Sequence, residues 1–247
     1  EDEKALTGCT VVICENGATC GVDVRGSAPG TRETDLLDPI NSVQKVHAVV
    51  LSGGSAFGLE STCGVSKYLE EKNIGFDVGV CKVPIVTGAV LFDLAVGDYK
   101  VRPDKEMGYK ACLNASKTEL KQGNYGAGCG ATVGKVKGLD YVTKGGIGSY
   151  SIKLDNGIVV SALIAVNAFG DVYEDGQVIA GVLNDDKNEL LNMSIRGQEG
   201  YLFINQSLYP PHQIRRLVDK RTHYGLMYCP KCLKEDKTPK KKKKWRY

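Results

Sequence analysis

The segment GIVVSALIAVNAFGDV, residues 157–172, limits the fold of this chain more than any other stretch. Apolar and β-branched residues predominate over its first eleven positions, a composition typical of a strand. Asp155-Asn156-Gly157 forms a turn signal between this strand and another over residues 146–154, so the pair predicts an antiparallel hairpin. A further strand is expected over 126–136. Strands that follow one another, instead of alternating with helices, favour an α+β fold.

The first half of the chain adds strands and two helices. Residues 10–14 and 18–24 are predicted as strands that meet at Glu15-Asn16-Gly17, because Asn-Gly between apolar runs is a strong hairpin signal. After Gly53-Gly54 the apolar residues take a helical spacing that continues to about Asn73. Residues 104–115 are a second, shorter helix candidate.

The charge of the chain changes at about residue 187. Residues 188–247 carry 14 Lys and Arg against 5 Asp and Glu, whereas residues 1–187 carry 18 against 24. An acidic body is therefore followed by a basic tail, and such an asymmetry marks a segment boundary. We expect the end of the tail to be partly disordered.

The cysteines are poorly placed for a disulfide framework. They number nine, an odd count, and the first seven are spread through apolar segments. Free thiols in a reducing compartment fit this distribution better. Since the chain also has no apolar run of 18 residues, we expect a cytoplasmic protein that does not enter the membrane.

The stretch GNYGAGCGATVGK, residues 123–135, has the look of a phosphate-binding loop. A Walker loop would need glycine at Cys129 and Ser or Thr at Val136, so its spacing fails at both positions. The dinucleotide fingerprint requires a helix after the glycines, and Ala131 onward is predicted as strand. The favoured interpretation is a glycine-rich strand, in which the missing side chains allow a neighbouring segment to approach the backbone closely.

Three further features are weighed against structural explanations. Cys229 and Cys232 form a CPKC motif that could bind zinc with His212 and His223, but the spacing is irregular and free thiols are favoured. The lysine run 240–244 could attract nucleic acid, yet a solvated tail is the simpler explanation. His47, at the start of an apolar strand, is predicted to be structural. No metal and no cofactor are expected.

Six segments appear in an order that carries a resemblance: TGCTVVICENGATCGVDVRGSAPGTRETDLLDP, KVHAVVLSGGSAFGLE, GFDVGVCKVPIV, GNYGAGCGATVGK, KGGIGSYS and IAVNAFGDV. Together they closely resemble the L-aminopeptidase/D-esterase family of self-cleaving hydrolases, which includes β-peptidyl aminopeptidases and the nylon-oligomer hydrolase. The resemblance covers about residues 5–185.

The resemblance implies a mechanism without histidine. Family members are precursors that cleave themselves into an α part and a β part, and the new N-terminal Ser or Thr of the β part is the nucleophile. Its own α-amino group serves as the base. The implied fold is a four-layer αββα sandwich that assembles into homo-oligomers, and the implied substrates are small peptides, amides or esters.

Two site residues follow from the resemblance. Asn167 matches the family asparagine whose amide helps to form the oxyanion hole, although Asn is also common as a strand-end turn residue. Lys135 resembles an active-site lysine of the nylon-hydrolase branch, which would tune the nucleophile's amine or bind a carboxylate. The alternative for Lys135 is an exposed charge at a strand end.

The chain departs from the family at the cleavage site. In Asn192-Met193-Ser194-Ile195, the residue after the asparagine is Met193, which has no nucleophilic oxygen. Cleavage of the next peptide bond, after Met193, would expose Ser194, which is a weak nucleophile candidate. The chain is therefore predicted to combine an α-part-like domain over 1–187 with a divergent basic tail over 188–247, leaving the sandwich incomplete at its C-terminal end.

Three functions remain open on this basis. The first is a self-processing amide hydrolase, with the β part supplied by this chain or by a separate partner. The second is a non-catalytic remnant or binding protein on the same scaffold. The third, a nucleic-acid-associated protein that uses the tail, is the least favoured.

Overall fold

The structure, a computed structural model, describes residues 1–26, 28–117 and 120–192, together with the backbone of two short strands further on. It contains two α-helices, α1 (Ser61–Glu71) and α2 (Lys105–Leu113). The strands are β1 (Cys9–Ala18), β2 (Thr31–Arg32), β3 (Val46–Ser52), β4 (Phe76–Asp77), β5 (Lys82–Val83), β6 (Val86–Val90), β7 (Thr132–Val133), β8 (Thr143–Lys144), β9 (Gly146–Lys153), β10 (Val159–Val166), β11 (Val172–Glu174), β12 (Gln177–Ala180), β13 (Leu202–Ile204) and β14 (Ser207–Tyr209).

A four-stranded mixed sheet forms the first half, in the order β1-β3-β6-β2. The strand β3 is central because its run VHAVVLS is apolar on both faces, and Ala48 and Val50 are completely buried. It pairs antiparallel with β1 and parallel with β6. The parallel pair is connected through α1, so the first half contains one local β-α-β unit that the sequence reasoning did not foresee.

The two helices cross through glycines. A Cβ added at Gly64 of α1 would overlap the carbonyl oxygen of Lys105, and one added at Gly108 of α2 would overlap that of Ser61. The missing side chains therefore let the two backbones touch. Beside the crossing, the rings of Tyr68 and Tyr109 pack edge to face with centroids 5.8 Å apart.

The helix pair and the sheet share one core. The side chain of Asp104 caps α2 by accepting a hydrogen bond from the Met107 N–H at 2.8 Å. The core residues are apolar and nearly inaccessible to solvent: Cys9, Ala48, Val50, Val65, Leu69, Val86 and Cys112. The seven cysteines within the described residues are free thiols, while the cytoplasmic location stays a prediction.

Two strand predictions were wrong in the same way. The hairpin at residues 15–17 does not form, because β1 continues through Gly17 (φ +69°) as one strand whose register shifts between Ile13 and Ala18. Glycine with positive φ serves a bulge as well as a turn. Residues 19–24 are irregular. Similarly, 126–136 is not a long strand: a 3₁₀ turn over Gly126–Gly128 precedes the two-residue β7.

The predicted second-half hairpin is confirmed. The strands β9 and β10 pair antiparallel from Gly146↔Val166 to Lys153↔Val159. Gly157 takes φ +85° in the connecting turn, and the Ile158 N–H donates to the Asn156 side chain. Mixed helices and separate sheets confirm the α+β class. None of the helices in the described part of the chain has the length and apolar character that a membrane crossing requires.

Candidate active site

Two predicted site residues are brought together by a short backbone contact. After β7, the Gly134 N–H donates to the Gly170 carbonyl at 2.9 Å and the Lys135 N–H to the Phe169 carbonyl at 2.7 Å. Gly134 has φ +76°, and an added Cβ would overlap the backbone of Gly181. A glycine is therefore required here, and it places Lys135 beside the loop that follows β10.

Asn167 begins that loop, and its side chain bridges two segments. Its Oδ1 accepts from the Thr132 N–H at 3.0 Å, and its Nδ2 donates to the Phe92 carbonyl at 3.1 Å. Because donors surround the oxygen and an acceptor faces the nitrogen, the orientation of the amide is fixed by its partners. The second N–H on Nδ2 has no acceptor among the described residues.

The ammonium group of Lys135 is enclosed by oxygens. Its Nζ donates to the carbonyls of Thr132 (2.5 Å), Ala168 (3.0 Å) and Asn167 (3.2 Å), and also contacts Asn167 Oδ1 at 3.2 Å. Burial lowers the pKa of this lysine to about 8. The alternative of an exposed strand-end charge is wrong, because the side chain is half-buried and fully engaged.

Thr132 lies between these two residues and was not predicted as a site residue. It is 2% exposed, its N–H holds Asn167 and its carbonyl holds Lys135. Its hydroxyl has no hydrogen-bond partner in the described part of the chain. A buried hydroxyl without a hydrogen-bond partner lowers the stability of the fold. No local pattern indicated Thr132, since a threonine in a predicted strand is ordinary.

Asp93 is the second residue that sequence reasoning missed. It is 3% exposed, and its carboxylate accepts from the Gly54 N–H at 2.6 Å and from the Thr7 hydroxyl at 2.7 Å. Burial raises the pKa of this carboxyl above its ordinary value, against the lowering effect of the two hydrogen bonds and of Lys144. Asp93 fixes the segment in which its neighbour Phe92 holds Asn167. An acid inside the apolar run AVLFDLAV was the available signal.

Among the remaining predicted residues, only His47 lies in the described part of the chain. Ser194, Met193, the CPKC motif and the lysine run lie outside the described residues. His47 is buried in β3, and its Nδ1 accepts from the Ile85 N–H at 3.2 Å, a structural contact. Burial lowers the pKa of this imidazole. Within residues 1–26, 28–117 and 120–192, no group of three or more His, Cys, Asp or Glu is arranged to hold a metal ion.

An amide donor held beside a half-buried lysine, on an α+β scaffold, is an arrangement suited to a hydrolase that stabilises an oxyanion. The model of peptidase family S58 matches residues 1–226, and the chain belongs to that family. The resemblance seen in the sequence is thereby confirmed. The match extends beyond residue 187, and the domain boundary placed there stays a prediction.

Curated relatives support the same family. An uncharacterized aminopeptidase of Mycobacterium leprae is 47% identical over 174 residues, which are 68% of this chain and 46% of the relative. A 6-aminohexanoate-oligomer endohydrolase of Paenarthrobacter ureafaciens is 36% identical over 134 residues, 54% of this chain and 35% of the relative. The chain thus spans about half the length, or less, of the curated relatives it matches.

One solved structure with a similar backbone is a β-aminopeptidase of Burkholderia sp. It has a TM-score of 0.49 and 20% sequence identity, and the match covers 68% of this chain and 47% of that one.

Proposed function

We propose that this chain is the α part of a self-processing amide hydrolase that acts on small peptides, amino-acid amides or esters. The observation that carries the proposal is the Asn167 amide, which Thr132, Lys135 and Phe92 fix while one of its N–H groups has no acceptor among the described residues. A donor that is fixed before the reaction stabilises the oxyanion without reorganisation, an effect of about 10²–10³ in kcat.

In the proposed reaction, the N-terminal Ser or Thr of a β part attacks the substrate carbonyl. The α-amino group of that residue takes the hydroxyl proton, and the carbonyl oxygen becomes an oxyanion next to Asn167 Nδ2. Collapse breaks the C–N bond and returns the proton to the leaving amine. Water then hydrolyses the acyl-enzyme by the same route, releasing the acid and the free nucleophile.

Lys135 acts in this scheme as a positioning residue. Its ammonium contacts Asn167 Oδ1 and the carbonyls on both sides of the cluster, so it draws the amide oxygen inward and leaves the nitrogen facing outward. Roles in tuning the nucleophile's amine or in binding a substrate carboxylate stay predictions, because the described residues place only carbonyl and amide oxygens around it.

We further propose that the β part completes a four-layer αββα sandwich around these residues. The chain spans 46% of the Mycobacterium leprae relative, so a family member of that length has additional chain to supply strands and nucleophile. In this chain Ser194 is the weak nucleophile candidate, and a separate polypeptide is the other source.

The intact mass of the purified chain tests the source of the nucleophile. Self-cleavage between residues 191 and 194 would yield two fragments, and Ser194→Ala would then abolish both cleavage and the hydrolysis of amino-acid anilides. A single uncleaved chain without turnover excludes Ser194. The chain is then mixed with the separately expressed C-terminal half of the Mycobacterium leprae relative, and recovered anilide hydrolysis would support a β part supplied by a partner.

The Asn167→Asp variant tests the oxyanion role in whichever assembly is active. The substitution keeps the shape but replaces the N–H donor with a carboxylate oxygen beside Lys135. We expect kcat to fall about 10²–10³-fold. Since the new carboxylate oxygen cannot donate to the Phe92 carbonyl, circular dichroism verifies that the variant folds. Undiminished kcat in a folded Asn167→Asp enzyme would remove Asn167 from the mechanism.

The second candidate is a non-catalytic protein on the same scaffold. It is favoured by Met193, which stands where the family places a nucleophilic Ser or Thr. Absence of turnover both alone and with the added β part, from a chain that is folded by circular dichroism, would support this candidate over the hydrolase.

A further inference from the structure

A cavity lies at the end of the central strand β3 that is far from the Asn167 cluster. Its volume is about 560 Å³, within the range of about 300–1,000 Å³ that is usual for small-molecule sites. The walls come from the irregular part of β1, the segment before β3, the residues that follow α1, and the β4–β5 hairpin. Gly54, which Asp93 binds, follows the other end of β3, so roughly 20 Å of strand separates the cavity from the cluster.

The chain forms this cavity from its own first half. The lining residues fall within residues 15–82, whereas the proposed β part would assemble around Asn167 and Lys135 in the second half. The walls of the cavity therefore do not require a β part, and what the cavity binds can be measured on the full chain alone.

His47 supplies a buried hydrogen-bond donor to the cavity. It is 6% exposed and lines the cavity, and its Nδ1 accepts from the Ile85 N–H at 3.2 Å. Burial and the positive charge of Lys45 lower the pKa of the imidazole, so at neutral pH it is uncharged and its proton lies on Nε2. This N–H has no acceptor among the described residues. Since a buried donor without an acceptor lowers stability, an oxygen of a ligand would be favoured here.

Lys45 makes the same end of the cavity suitable for an anion. The carbons of its side chain lie against Gly17, where an added Cβ would come within 2.9 Å of Cδ, and its ammonium forms no ion pair in the part of the chain that the structure describes. The ammonium is close enough to His47 to act on the pKa of the imidazole. A cation beside a neutral N–H donor suits a carboxylate, because each can donate to one of the carboxylate oxygens.

The rest of the lining adds both signs of charge. Glu15 and Asp77 line the cavity, as does Lys82, which lies opposite Asp77 in the β4–β5 pair. None of these three side chains forms an ion pair within the described residues. Together with Lys45 they leave the lining with no net formal charge. Such a lining disfavours a phosphate dianion and favours a ligand that carries one charge of each sign.

We propose that the cavity binds a zwitterionic ligand, a free α-amino acid or a dipeptide with an apolar side chain. Its carboxylate accepts from His47 Nε2 and from the Lys45 ammonium, and its own ammonium faces the two carboxylates of the lining. Its side chain covers Ile74 and Phe76, the apolar part of the wall. Free amino acids are also products of the proposed reaction, so the cavity would bind product away from the place where it forms. This consequence rests on the proposed function, whereas the binding itself does not.

Titration of the reduced full chain with L-leucine tests the proposal. The signal of the His47 Cε1–H group in a carbon–proton correlation spectrum is identified by its loss in His47→Gln, and is then followed as leucine is added. We expect a saturable shift with a Kd below about 5 mM. Two probes of matched shape each lack one charge: isoamylamine has no carboxylate, and isocaproate has no ammonium. Each should bind at least about tenfold more weakly than leucine.

Substitutions at the two ends of the cavity separate their roles. Lys45→Met keeps a long side chain against Gly17 without the charge, and should weaken both leucine and isocaproate at least about tenfold. Lys100→Met removes the same charge from an exposed loop outside the cavity, and the Kd of leucine should stay within about twofold of the wild-type value. The Glu15→Gln, Asp77→Asn double variant should weaken leucine about tenfold and leave isocaproate binding no weaker. Circular dichroism verifies that the variants fold.

Three results would overturn the proposal. The first is a His47 signal that is not half-shifted at about 5 mM leucine. The second is inorganic phosphate binding as tightly as leucine, and the third is a leucine Kd that is unchanged in the folded variants of the cavity. If Lys45→Met does not fold, the double variant and the two single-charge probes still decide. Because none of these measurements involves turnover, the binding can fail while the proposed hydrolase stands, and the reverse also holds.

Discussion

Replacement of Asp93 tests how the site is held, because Asp93→Ala and Asp93→Asn are expected to lower the free energy of unfolding by clearly different amounts. In Asp93→Ala, the Gly54 N–H and the Thr7 hydroxyl lose their acceptor in a region where Asp93 is 3% exposed. A buried donor left without a partner costs about 1–3 kcal/mol. We therefore expect the free energy of unfolding to fall by about 4 kcal/mol for the two donors together.

Asp93→Asn should cost much less. The amide oxygen can accept from the Gly54 N–H, as the carboxylate does at 2.6 Å. The amide nitrogen then faces the Thr7 hydroxyl, which can rotate and accept a hydrogen bond where it formerly donated one. Both hydrogen bonds survive, the buried charge is gone, and we expect a loss of about 1 kcal/mol or less at neutral pH.

Urea denaturation followed by circular dichroism measures both variants. The difference of about 3 kcal/mol between them corresponds to a roughly 150-fold difference in the unfolding equilibrium. If Asp93→Ala does not fold at all, the wild-type and Asp93→Asn comparison still stands. Equal losses in Ala and Asn, or a loss below about 1 kcal/mol in Ala, would refute the account of Asp93 as a hydrogen-bonded anchor.

The pH dependence gives a second readout of the same pair. Burial raises the pKa of Asp93 in the folded protein, so at pH values between the ordinary and the raised pKa the native state holds a proton that the unfolded state has released. The stability contributed by this proton is fully present below the ordinary carboxyl pKa and is lost as the pH rises through the raised value. The difference in the free energy of unfolding between wild type and Asp93→Asn should therefore decrease as the pH rises.

Two further predictions concern Lys135 and the helix crossing. Burial lowers the pKa of Lys135 to about 8. The free energy of unfolding of the wild type should therefore increase as the pH rises from about 8 through the ordinary lysine pKa. In matched urea titrations, Lys135→Met should not show this increase. Gly64→Ala should destabilise the protein by about 1–3 kcal/mol, because the helices must separate, although propensity alone predicts a gain of about 1 kcal/mol. Lys67→Ala, which removes an exposed ion pair with Glu71 and the contact of the ammonium with the Tyr109 ring, is the control and should change stability by less than about 1 kcal/mol.

Sequence patterns predicted those elements whose stability is largely local. The hairpin of β9 and β10 follows from β-branched runs around an Asn-Gly turn, and α1 follows from apolar spacing after Gly54. The same Asn-Gly signal failed at Gly17, where pairing of β1 with the central β3 kept the chain extended. Tertiary pairing can thus override turn chemistry, and a single sequence does not show which strand lies next to which.

Of the site residues, only Asn167 and Lys135 were predicted, and both followed from the family resemblance. Nothing local in the sequence shows that Thr132 lies between Lys135 and Asn167, because that arrangement depends on a contact across 35 residues. Asp93 could have been noticed as an acid in an apolar run, but its partners Gly54 and Thr7 come from distant segments. Backbone contacts that join distant segments are decided by the whole fold.

The β9–β10 hairpin also affects the order in which the cluster can assemble. Hairpins close within about 1–10 μs, and the register from Gly146 to Val166 brings the ends of the intervening segment together. The Thr132–Asn167 contact then closes an effective loop of roughly 15 residues, which lowers the loop-closure entropy cost by about 0.7 kcal/mol relative to the unzipped chain. The hairpin thus shortens the conformational search by which the oxyanion donor reaches its place.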